Sequence, residues 1–118
     1  MVYVDGFLLV VPNKQLPAYK ALAKKAGKVW MEHGALEYRE CLGDDLTTPC
    51  GPPFDKLTGA KRGDHVVFSW IVYRSKAHRD RVNRKVMADP RFAKMLTGKM
   101  PFDMARMSHG GFRSIVDL

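Results

Sequence analysis

The sequence predicts one α+β domain of order βαββαβ, a four-stranded antiparallel sheet with two helices on one face. Three observations carry that prediction. Four segments rich in β-branched and aromatic residues read as strands, and two segments of helical period fall between them in the required places. The first and third strands, moreover, lack a polar face, which constrains what must cover the sheet.

The first strand is Val2 to Val11, "VYVDGFLLVV", apolar on both alternating faces except at Asp5, and Pro12 ends it. Asn13 is the expected N-cap of the first helix, with Pro17 confined to the first turn. That helix runs to His33, with Leu16, Tyr19, Ala23, Ala26 and Trp30 on one face, and Gly34 is placed to end it. Ala35 to Leu42 reads as the second strand, with Leu36, Tyr38, Glu40 and Leu42 sharing a face. Residues 43–64, rich in Gly, Pro, Asp and Thr, read as a long loop with one helical turn near Phe54 to Leu57.

The third strand is "HVVFSWIVY", His65 to Tyr73. Ser75 then caps a second helix to about Ala88, whose inward stripe is His78, Val82 and Val86. Asp89 to Leu96 suggests a short further helix that Pro90 starts. An irregular approach leads to a last strand, "SHGGFRSIVDL", with a bulge candidate at Gly110 and Gly111. This order is the ferredoxin-like unit.

Two helices can cover one side of such a sheet, yet Val66, Phe68, Trp70 and Val72 are as apolar as the residues alternating with them. A second copy of the sheet is the simplest cover, because closed two-fold symmetry is the commonest assembly. The sequence therefore predicts a homodimer whose open sheet faces meet as a barrel-like sandwich.

Composition is that of an ordered globular chain, 46% hydrophobic and 27% charged. The net charge is +8 and unevenly placed. Residues 1–73 hold nine basic and eight acidic side chains, whereas residues 74–118 hold eleven and four. Such a bias attracts anionic partners, and Lys76, Arg79, Arg81, Arg84, Lys85 and Arg91 are the candidate contacts for RNA or another polyanion. Asp80, Asp89 and Asp103 interrupt the basic run, however, so nucleic acid is not the favoured partner, and a solvated helix face is the simpler reading. No apolar run approaches the roughly 18 residues that span a bilayer. The start "MVYVDGFLLVVPNK" lacks a basic leader region, and Cys41 and Cys50 are expected as reduced thiols of a cytoplasmic protein.

His33, His65, His78 and His109 show no metal-ligand spacing, so neither a metal nor a cofactor is expected. His78 is inward-facing beside Trp70 and reads either as a general base in an apolar pocket or as a packed imidazole bonded to backbone. Asp5 and Glu40 are acids inside apolar strand patterns; if buried, each needs a raised pKa or an arginine partner. The simpler expectation is a strand irregularity at Asp5 and Gly6 and an edge position for Glu40.

Four ordered stretches are similar to a known family: "YVDGF", "AGK-W-EHGALEY-EC", "VVFSWIVY-S-AHRD-VN-KVMADPR" and "MPFD--RM--GGF". They resemble the YbaA-like bacterial family of unknown function over essentially the whole chain. The resemblance implies a ferredoxin-like fold of the dimeric α/β-barrel type. Arg81, Arg84 and Arg113 depart from that family's look, which marks the basic charge as an elaboration of this chain.

Barrels of this type commonly enclose a pocket between sheet and helices, some using it for cofactor-independent oxidation or isomerisation of hydrophobic substrates. The resemblance therefore implies a site for a small, largely apolar or aromatic metabolite, lined by Trp70, His78, Phe102, Asp103 and His109, with residues 43–64 as a lid. A non-catalytic dimer with a protein partner is the third reading.

Overall fold

The computed structural model describes all 118 residues and contains one four-stranded antiparallel sheet of order β2-β3-β1-β4. Its strands are β1 (Tyr3–Pro12), β2 (Glu37–Leu42), β3 (Asp64–Tyr73) and β4 (Ser108–Arg113). The helices are α1 (Leu16–Glu32), α2 (Phe54–Thr58), α3 (Lys76–Met87) and α4 (Pro90–Met95). This is the predicted α+β, ferredoxin-like arrangement, with α2 and α4 added in the connections.

Register makes the two faces explicit. β1 pairs β3 from Tyr3 opposite Tyr73 to Pro12 opposite Asp64. Leu9, Val11 and Val67 pack beneath Tyr19 and Ala23 of α1. Ile71 and Tyr73 pack with Val29 of α1 and with Val82 and Val86 of α3. The stripe His78, Val82 and Val86 is buried throughout, as its spacing requires. Asn83 of α3 joins the layers, its Oδ1 accepting from Trp30 Nε1 and from Tyr73 Oη, both at 3.1 Å.

The caps follow local chemistry at α3 and α4. Ser75 Oγ accepts the His78 N–H at 3.1 Å, and Asp89 Oδ1 accepts the Arg91 N–H at 2.9 Å. At α1 the expectation fails. A 3₁₀ turn (Asn13–Gln15) precedes the helix, whose first flanking residue is Gln15 with no side-chain cap. The Asn13 side chain is taken instead by His65 Nε2 at 2.7 Å. Gly34 does end α1, at a φ of 114° that favours glycine.

β4 also differs from its reading. It stops at Arg113, and Gly110 and Gly111 pair in unbroken register with Gly6 and Asp5, so there is no bulge. The glycine at 111 has a packing reason: the Tyr3 ring lies where a Cβ would stand.

The open face carries Val4, Leu8, Phe68, Trp70, Val72 and Phe112. Phe68 and Phe112 remain 46% and 62% exposed, so much of this apolar surface has no cover within one chain. One end of it is covered. The α2 turn packs on β1 and β3, Phe54 meets Phe68 at 6.2 Å between ring centroids, and Val10 and Val66 are buried. The α2 part of segment 43–64 thus lies on the open side of the sheet, where it is no lid over the helix side, and the segment reaches the other layer through the Thr58 and Gly59 carbonyls, which accept from Arg106.

Candidate functional site

Between the sheet and α1, α4 and the 96–107 segment lies a cavity of about 180 Å³. Nineteen residues line it, and all but Glu40 and Ser69 are hydrophobic. The cause is visible in α1. Leu22, Ala26 and Trp30 line the space from α1 and stay only partly buried, because the side chains around them do not fill it. α4 and the following segment close the space with Phe92, Met95, Met100, Phe102 and Met107. Phe92 meets Trp30 edge-on at 5.1 Å, and Phe102 meets Tyr19 edge-on at 5.6 Å.

Glu40 is the one charged side chain on this lining. Alternation along β2 turns Tyr38 and Glu40 to the helix side, and Glu40 stands opposite the buried Ser69 of β3. Its two oxygens have separate donors: Tyr19 Oη donates to Oε1 at 2.6 Å, and Tyr38 Oη donates to Oε2 at 2.7 Å. Burial first, and then the Glu40 charge, push both phenols well above the usual tyrosine range. Both therefore remain protonated donors at any physiological pH.

Tyr38 is itself wedged by Gly27 of α1, where an added Cβ would stand 2.7 Å from Tyr38 Cδ1 and Cε1. No fully buried side-chain nitrogen or oxygen in the molecule is left without a hydrogen-bond partner.

The five residues predicted for a pocket do not converge. Phe102 lines the cavity, and Trp70 borders it from β3. The Trp70 indole, however, packs against Phe68 on the open face and donates through Nε1 to Glu37 Oε2 at 2.8 Å. That bond is the main reason the Glu37 carboxyl is held below its usual range.

His78 lies outside the cavity, under the first turn of α3. Its Nδ1 accepts the Arg74 N–H at 2.9 Å, its ring is edge-on to Tyr73, and Gly34 closes over its Nε2. Burial, followed by the charges of Arg74 and Arg81, lowers its pKa. Asp103 is exposed and caps the short turn at Met104–Arg106, accepting the Ala105 N–H at 3.0 Å. His109 is exposed on β4 and stacks on Phe7 at 5.8 Å.

The basic candidates divide as well. Arg79 is bound to Asp5 and Asp80, at 2.7 and 2.8 Å, and lies 4.9 Å from the centroid of the Tyr3 ring. Arg91 is bound to Glu32 and Asp89. Lys76, Arg81, Arg84 and Lys85 are exposed. The structure contains no group of three or more His, Cys, Asp or Glu placed to hold a metal ion, and no helix long and apolar enough to cross a membrane. Cys41 and Cys50 are free thiols.

Glu40, Tyr19 and Tyr38 were not predicted as a site. The alternation of β2 and the stripe of α1 place all three on inward faces, but which stripe residue stands over which strand residue is settled only by the packing.

The fold has solved counterparts. SnoaB of Streptomyces nogalater, described as a cofactor-independent oxygenase, matches with a TM-score of 0.59 and 14% identity, covering 99% of this chain and 96% of that one. A NIPSNAP domain protein of Burkholderia xenovorans matches at 0.55 and 15% identity, over 95% and 93% of the two chains. These likenesses show the fold. In sequence the chain is 44% identical over 117 residues to the uncharacterized protein YbaA of Escherichia coli K12, across 99% of both chains. Since residues 2–104 also match the family described as protein of unknown function DUF1428, the chain belongs to that YbaA-containing family.

Proposed function

We propose that the protein binds a small, largely apolar or aromatic metabolite in the cavity between sheet and helices. The cavity itself carries the proposal: about 180 Å³ is more apolar space than a close-packed core leaves unfilled, and its single carboxylate is the kind of isolated polar group that orients a ligand in a small-molecule site. An apolar cavity of about 150 Å³ is already large enough for benzene. The fold supports the reading by analogy, since a protein of the same architecture is described as a cofactor-independent oxygenase. Oxygenation or isomerisation of a bound aromatic, without a cofactor, is therefore the reaction class to assay first.

The open sheet face fits a second copy of the chain. Its apolar side chains span three strands, and a two-fold pairing of the two sheets covers them with no other partner. The polyanion reading is weaker, because Arg79 and Arg91 are committed to carboxylates within the chain.

The test is a thermal-shift and NMR screen against aromatic and quinone-like compounds, run on the wild type and on Ala26→Leu, which fills the cavity from α1. Compounds should raise the wild-type melting temperature and lose at least tenfold in affinity with Ala26→Leu. A screen without binders, or binding indifferent to that substitution, overturns the proposal.

A further inference from the structure

Every Tyr and Trp polar hydrogen around the cavity is already spent. Tyr19 and Tyr38 donate to Glu40, Trp30 donates to Asn83, and Trp70 donates to Glu37 on the opposite face. Ser69 is the remaining hydroxyl on the lining, and no lysine, arginine or histidine reaches it. What the cavity offers a ligand is therefore acceptors: the free lone pairs of Glu40 and of the two phenol oxygens. Around them stand aromatic rings, among them Phe7, Trp30 and Phe92, whose faces attract positive charge.

We infer that the natural ligand is an apolar amine, bound as its ammonium with the Glu40 carboxylate as counter-ion and the two tyrosine oxygens as further acceptors. This rests on the cavity being the binding site. A carboxylate ligand would meet Glu40 with like charge and no basic residue to offset it, and a ligand with acceptors alone would find one hydroxyl. An ammonium satisfies the site on every count. It donates up to three hydrogen bonds, neutralises the one charge and places its hydrocarbon against the lining. The phenols hold the carboxylate oxygens in place before the ligand arrives, which reduces the ordering that binding requires.

The experiment uses three probes of one shape, 2-phenylethylamine, 2-phenylethanol and 3-phenylpropionate, titrated by calorimetry at pH 7 into the full-length protein. Binding of the amine at least tenfold tighter than the alcohol, with the acid weakest, is expected. Glu40→Gln should remove the amine preference, bringing the amine and the alcohol within threefold of one another. If Glu40→Gln fails to fold, the wild-type ranking alone decides. Binding in which the acid or the alcohol equals the amine overturns the inference and leaves the cavity as a binding site. Failure of all three probes, with no ring-proton shifts at Trp30 or Phe92, overturns the cavity reading as well.

Discussion

Asp5, the third residue of β1, and Arg79, on α3, form an ion pair of 2.7 Å on the helix-covered face of the sheet. Their side chains are 10% and 20% exposed, and Arg79 also lies over the Tyr3 ring. A charge inside an apolar strand is thus answered by a charge from the helix above it, and the strand irregularity expected at Asp5 and Gly6 is absent, since both pair in continuous register on either side. The same pair removes Arg79 from any external anion site.

Removing Asp5 leaves the largely buried Arg79 with only the more exposed Asp80 as counter-charge, so Asp5→Ala should destabilise the fold by about 2 kcal/mol. Replacing both partners, as Asp5→Leu with Arg79→Met, should cost clearly less than the sum of the single changes. Urea denaturation of the four proteins of the cycle checks this. Additive single and double effects would show that the pair does not act as a unit.

Gly27 and Tyr38 make the second prediction. In an exposed helix interior Gly→Ala stabilises by about 1 kcal/mol. At Gly27 the new methyl would stand 2.7 Å from a ring whose hydroxyl is tied to Glu40, so the ring cannot swing aside freely. Gly27→Ala should therefore destabilise by about 1–3 kcal/mol, the range of overpacked cores. It should also weaken cavity ligands by displacing the Tyr38 hydroxyl. A thermal melt at or above wild type, with ligand affinity retained, refutes it.

The legible parts of this molecule are those decided within a few residues or by periodicity. Ser75 caps α3 because its hydroxyl reaches the N–H three residues on, and α4 starts at Pro90, whose fixed φ suits a first turn. The two-faced character of β1 and β3 is visible because alternation is absent over whole strands. Asn13 has the same cap chemistry, but His65, 52 residues away in sequence, holds its side chain. The site was harder for the same reason. Spacing correctly turned His78 inward, but the start of α3 sits over Gly34 and Tyr73, away from the cavity. Glu40 lies on the apolar side of β2, and only the placement of α1 over that strand supplies Tyr19 to it.

His78 gives a pH dependence of known sign. Its pKa in the fold lies below the ordinary value of 6.5, through burial first and then the neighbouring arginines Arg74 and Arg81. Below about pH 6.5 the unfolded chain takes up a proton at His78 that the folded protein refuses, so unfolding gains and stability falls. Above that pH the contribution is constant. His78→Asn keeps an acceptor for the Arg74 N–H without a titrating group, so its stability should fall less between pH 7 and 5 than that of the wild type. Parallel pH profiles for the two proteins, measured by chemical denaturation, would assign the effect to other groups.

The last prediction concerns the open face. Phe112 projects from β4 at 62% exposure, its ring beside Gly6, so a charge there costs the single chain little. In a sheet-to-sheet dimer the same charge would be buried without a partner, beside the apolar residues of two chains. Wild-type protein should therefore run in light scattering at twice the 13.4 kDa chain mass, and Phe112→Glu at the single-chain mass. Circular dichroism should be unchanged, because β4 keeps its backbone pairing to β1. Trp70 offers an internal reporter, since its indole on this face should become more solvent-exposed as the dimer parts, with a red shift of its fluorescence. A wild type that is monomeric at micromolar concentration, or a Phe112→Glu protein that stays dimeric, places the contact elsewhere or removes it.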